Sequence, residues 1–117
     1  MRQSGIIAAG ALYALQHHVD RLADDHLAAQ RFADAVRESP GLTLVPDQVD
    51  TNIVFFAIDP QYGSANHFCQ LLFERGVWTM PFGKNIVRAC THLDVSLEQV
   101  DQAATIVRQF AEQFVVA

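Results

Sequence analysis

At 117 residues the chain is sized for one domain, residues 1–117, and its 50% hydrophobic content rules out a disordered tail. A formal charge of -5, with acids and bases interspersed, leaves no basic stripe for nucleic acid or an anionic membrane surface, so neither is an expected partner. The longest apolar run, Gly5 to Leu15, is shorter than the roughly 20 residues a bilayer span takes and lacks the pattern of a secretory signal.

From Arg2 to about Glu38 there is no proline, and the only glycines are Gly5 and Gly10, which predicts a long helical segment, continuous or broken near His17-His18. Its first part, Gly5 to Leu15, is apolar on every face and rich in small residues, the mark of a helix surrounded by protein. A domain this small cannot supply that surrounding itself, so a neighbour is expected. The second part carries Leu22, His26, Ala29, Ala33 and Val36 on one face and reads as an amphipathic surface helix. Ser39-Pro40-Gly41 ends it.

Leu42–Val45 and Ile53–Ile58 read as strands, followed by a turn-rich connection and a helix from about Ala65 to Arg75, with Ser64 as N-cap and Gly76 at its C-terminal end. Val77–Met80 and Ile86–Thr91 read as a second strand pair around the loop Pro81 to Asn85. The last helix starts at a capping box, Ser96 with Gln99, and Val95 is placed to staple onto Val100. Two strand pairs, each followed by a helix, predict an α+β fold: a small, mainly antiparallel four-stranded sheet with helices on one face, preceded by the long helical segment. Phe55, Phe56, Trp78 and Phe82 are more bulk than a solvated sheet face carries, a second sign of a missing neighbour.

Arg88 stands in the middle of Ile86–His92, an apolar, β-branched run. A guanidinium there needs an anion, and no carboxylate lies in the same run, since Asp94 falls beyond the strand end. Either Arg88 snorkels or pairs with a distant structural acid, or it clamps a substrate carboxylate bidentately, for which its planar fork suits it better than a lysine. Complete active sites are not evident. His17, His18, His26, His67 and His92 lack metal-ligand spacing, and no Gly-x-Ser-x-Gly elbow or phosphate-cradling glycine loop occurs. Cys69 and Cys90 sit in apolar contexts and read as reduced core thiols of a cytoplasmic protein. Lys84, the only lysine, sits in a Gly-Lys-Asn loop typical of a solvated turn.

Four blocks in order carry a resemblance: Met1 to Gly10, Asp20 to His26, Asp50 to Val54 and Val87 to Val95. Together they resemble the C-terminal third of the low-specificity L-threonine aldolases. The resemblance implies the small domain of a fold type I, pyridoxal-phosphate-dependent lyase. Such enzymes are homotetramers that cleave β-hydroxy-α-amino acids to glycine and an aldehyde. It implies that the cofactor lysine and the ring-stacking histidine belong to a large domain upstream, so this chain is expected to be a C-terminal part, inactive and without bound cofactor by itself. Its expected partners are then that large domain, neighbouring subunits and a small amino-acid substrate. Residue by residue, Arg88 is implied to bind the substrate α-carboxylate and Arg2 the phosphate of a cofactor held by a neighbouring subunit. No residue is assigned to catalysis or to a metal. Two other readings stay open: a non-catalytic binding or oligomerisation module on the same fold, and a free-standing enzyme using Cys90 and a histidine.

Overall fold

The computed structural model describes residues 2–116, with side chains as far as residue 114. Two helices open the chain, α1 (Ser4–His17) and α2 (Leu22–Glu38), followed by strands β1 (Leu42–Leu44) and β2 (Ile53–Ile58). A 3₁₀ turn (Pro60–Tyr62), α3 (Ala65–Glu74), β3 (Met80–Pro81), β4 (Ile86–Cys90) and α4 (Leu97–Val116) complete it. The long helical segment is therefore broken by a turn after His17, the second of the two alternatives the sequence left open.

The four strands form one antiparallel sheet in the order β1-β2-β4-β3. Val54, Phe56 and Ile58 of β2 and Val87 of β4 are buried, on the face covered by helices. The core is an aromatic chain across that layer. Phe56 meets Phe32 of α2 and Phe68 of α3, and Phe68 meets Tyr62 and Phe110 of α4, with ring centroids 5.3 to 6.3 Å apart. The three pairs made with Phe68 are edge-on and the Phe32–Phe56 pair is tilted, and each adds a specific contact to a large buried area. Phe56 thus belongs to the core and not to the uncovered face.

Helix ends follow their sequence signals. At α4 the Ser96 N–H donates to Gln99 Oε1 (2.9 Å) and the Gln99 N–H to Ser96 Oγ (3.1 Å), a reciprocal capping box, with Val95 packed on the core. At α3 the Gly76 N–H donates to the Phe73 carbonyl and the Val77 N–H to the Leu72 carbonyl, with Gly76 at φ +89°, a Schellman end. That closure takes up Val77, so the third strand is confined to Met80–Pro81 and does not begin at Val77 as predicted.

Two further readings are corrected. The buried face of α2 runs through Asp25, Ala28, Ala29, Phe32, Ala33 and Val36, while Leu22 and His26 point outward. The stripe is rotated because Asp25 is brought inside by Arg21, which forks onto both its carboxylate oxygens at 2.8 to 3.1 Å. Charge pairing makes an acid a core-facing residue that a hydrophobicity pattern misses. Cys69 is buried as expected, but Cys90 is exposed.

Helix α1 is the exception to the packed layers. None of its residues is buried, and Ile6 and Leu15 are 75% and 70% exposed. The described part of the chain measures 54 × 28 × 26 Å, and an apolar helix without cover projects from it.

Candidate functional site

Arg88 is the third residue of β4, and its neighbours follow from the ladder. It lies opposite Phe55 on β2 and opposite Met80 on β3. Strand alternation sends Val54, Phe56 and Val87 to the helices and Ile53, Phe55, Ile86 and Arg88 to the other face. Helices cover one side only, so this second face is open.

The phase of the ladder separates the two neighbours. The Thr91 N–H donates to the Asn52 carbonyl and the Ile58 N–H to the Asn85 carbonyl, which fixes those residues as hydrogen-bonded pairs of β2 and β4. Alternation from either end makes Phe55–Arg88 a non-hydrogen-bonded pair, the kind whose side chains stand closer. On the other side the Phe82 N–H donates to the Ile86 carbonyl, which puts Met80–Arg88 in the wider, hydrogen-bonded class. Phe55 is half-buried and its ring meets Phe82 edge-on, 5.1 Å between centroids. Arg88 thus rises half-buried from the open face, with Phe55 opposite it on one side and Met80 on the other.

Its charge is unmet. The ion pairs among the described residues join Arg21 to Asp25, Arg31 to Asp101, Arg37 to Asp34 and Asp47, and Arg108 to Glu38. Arg75 donates to the Leu71 carbonyl and lies 4.7 Å over the Phe110 ring. No described residue accepts a hydrogen bond from the Arg88 guanidinium. The nearest acid in sequence, Asp94, is exposed and engages His92, its N–H donating to His92 Nδ1 at 3.3 Å.

Arg2, the other predicted site residue, is exposed in the turn before α1 and has no hydrogen bond to Arg88. Cys90 lies two residues beyond Arg88 on the same strand face, its sulfur accepting from Asn52 Nδ2 at 3.4 Å. Asn52 also donates to the Thr91 carbonyl (2.7 Å), fastening the end of β4. The thiol that burial pushes up in pKa is Cys69, partly offset by the Thr79 hydroxyl beside it, so the buried thiol is the less reactive one. No cluster of three or more metal-type ligands occurs among the described residues.

Sequence reasoning did not single out the cleft of about 270 Å³ between the start of α2 and the segment after β4, lined by Arg21, Asp24, Asp25, His92, Leu93 and Ser96 among others. Its available signal was the Arg21–Asp25 spacing of four on a helix. The Thr91 hydroxyl donates to the Asp25 carbonyl at 2.7 Å and ties β4 to that cleft. Since Arg21 already satisfies the Asp25 carboxylate, the cleft offers no free buried acid.

The profile of the beta-eliminating lyases matches residues 1–59, half of the chain. Low specificity L-threonine aldolase of Escherichia coli K12 is 37% identical over 110 residues, 94% of this chain and 31% of that protein. The chain belongs to the beta-eliminating lyase family. The Arabidopsis thaliana protein named probable low-specificity L-threonine aldolase 2 is 35% identical over 82% of this chain. The chain spans about 31% of the length of the Escherichia coli relative and 27% of the plant one.

Solved structures agree on the fold. One of MppP soaked with the product 2-ketoarginine superposes with a TM-score of 0.65 at 16% identity, over 85% of this chain and 30% of that one. Ornithine aminotransferase of Plasmodium yoelii gives 0.60 at 15% identity, over 80% and 24%. The α+β fold, a four-stranded antiparallel sheet with packed helices, is shared with both.

The family depends on pyridoxal phosphate, and the residues present do not make a complete site for it. Lys84 is exposed in the turn before β4, whereas a lysine that carries the cofactor is desolvated. What this chain does offer is an unpaired guanidinium on an open sheet face.

Proposed function

We propose that this chain supplies the substrate-carboxylate clamp of a pyridoxal-phosphate-dependent lyase, one that cleaves β-hydroxy-α-amino acids to glycine and an aldehyde. One observation carries the reading: Arg88 stands half-buried at the centre of the open sheet face with no acidic partner among the described residues. A guanidinium in that position favours a bidentate carboxylate, and the α-carboxylate of an amino acid has the matching geometry. When bound, the cofactor withdraws electrons from Cα. The task of Arg88 is orientation: holding the carboxylate fixes which bond at Cα is aligned for cleavage.

In this reading Arg2 contributes its charge to the cofactor phosphate, held by a neighbouring subunit. The lysine that carries the cofactor comes from a separate large domain, so the chain alone is inactive. The uncovered apolar surface of α1 supports docking to further protein, either that domain or a neighbouring subunit. The same surface supports a second reading, a non-catalytic association module on this fold, in which Arg88 would meet a partner's acid.

The test is kinetic and uses the complete polypeptide that carries this segment. Losing a charge-assisted, bidentate contact should lower kcat/KM for L-threonine by roughly ten- to a hundredfold in Arg88→Ala, with Arg88→Lys in between. Unchanged kinetics in Arg88→Ala would remove the clamp and favour the association module.

A further inference from the structure

Phe55 has no role in the clamp as described, yet it is the residue the ladder brings nearest to Arg88. Its partner across the strand stands in the non-hydrogen-bonded class, where side chains approach most closely, while Met80 occupies the wider position on the far side. The Phe55 ring is itself held, half-buried, by the edge-on contact with Phe82 at 5.1 Å. An arginine side chain on an open sheet face otherwise samples many rotamers and keeps a full hydration shell, both of which oppose binding. A fixed ring on one flank removes rotamers that lean toward β2 and strips water from one side of the aliphatic stem.

We infer that Phe55 is a positioning residue for the Arg88 guanidinium, braced by Phe82, which preorganises the clamp for a carboxylate. The inference rests on the carboxylate-clamp reading. Phe55 touches no reacting atom in this account and acts only through Arg88. Because Phe55 lies on the open face and not among the core side chains, its substitution leaves the aromatic core intact.

Titration of the complete polypeptide that carries this segment with glycine, followed by NMR at the Arg88 Nε–H, separates the two claims. The unsubstituted chain should show a saturable shift there. Phe55→Ala should weaken apparent affinity by roughly 1.5- to fivefold, the range of one cross-strand contact, with the amide spectrum of the core unchanged. Phe55→Leu, which restores bulk, should recover most of it. Affinity in Phe55→Ala equal to that of the unsubstituted chain overturns the role of Phe55 and leaves the clamp standing. A loss in Phe55→Leu as large as in Phe55→Ala also overturns it, since bulk on the flank is the stated cause. If no saturable shift occurs in the unsubstituted chain, or if Arg88→Lys responds as strongly in the surrounding β4 amides, the clamp itself fails and the inference with it.

Discussion

Gly41→Ala, set against Gly76→Ala, tests how the domain is locked together. Both glycines have positive φ, +76° and +89°, so an L-residue at either should cost about 1 to 2 kcal/mol in the backbone. They differ in what a Cβ would meet. At Gly76 nothing lies within 4 Å, whereas at Gly41 the added carbon would sit 2.7 Å from Tyr62 Cε2 and 2.8 Å from Gln61 Nε2. Gln61 has a flexible side chain and can yield. Tyr62 cannot: it is 1% exposed, its hydroxyl donates to the Pro40 carbonyl, and its ring is wedged against Phe68, Phe110 and Phe114. Overpacking of this kind costs about 1 to 3 kcal/mol more. For a small domain with a urea slope near 1 to 3 kcal/mol per molar, Gly41→Ala should lower the urea midpoint further than Gly76→Ala, by about 1 M at mid-range and about 0.3 to 3 M at the extremes, at equal slope. Equal midpoints for the two variants would show that Tyr62 is not the fixed wedge described.

Four other outcomes follow from local geometry. Ser96→Ala should lower the unfolding free energy by about 1 kcal/mol in chemical denaturation, because it removes one side of the capping box. Asp25→Ala should destabilise by about 1.5 to 3 kcal/mol, since Arg21 would lose an acceptor for both arms of its fork in a part-buried place. A thiol reagent should modify exposed Cys90 rapidly and buried Cys69 only slowly, and alkaline pH should destabilise the fold. Burial raises the Cys69 thiol, and burial with the nearby Asp59 charge raises the Tyr62 phenol, so between their unfolded and folded pKa values the folded state holds more protons. Stability is then complete below the ordinary thiol and phenol range and falls as pH rises through and beyond roughly 8.5 to 10; constant stability across that range would contradict the burial of both groups.

Much of this architecture was legible in the chain. The capping box at Ser96 and Gln99, the Gly76 helix end and the β-branched runs at Ile53 and Ile86 are local signals, and each element formed where its signal stood. The failures come from pairings that propensity and hydrophobic periodicity do not register, two of them local and one set by the sheet. Asp25 turned inward because Arg21 neutralises it, Phe56 faced the core because its strand register places it there, and Val77 was taken by the closure of α3 instead of a strand ladder. At the site, the unmet charge of Arg88 could be argued from the absence of a nearby acid. The closeness of Phe55 could not, because it depends on the phase of a ladder between strands 33 positions apart. The apolar character of α1 correctly implied a helix that this chain does not cover.

The central claim is that Arg88 awaits a carboxylate from outside its own chain. A crystal structure of the complete polypeptide with glycine bound tests it most directly. The account predicts both glycine carboxylate oxygens about 2.7 to 2.9 Å from the Arg88 guanidinium nitrogens, in the fork geometry of a bidentate pair. A guanidinium paired instead with an aspartate or glutamate of the polypeptide, with glycine seated elsewhere, would contradict it.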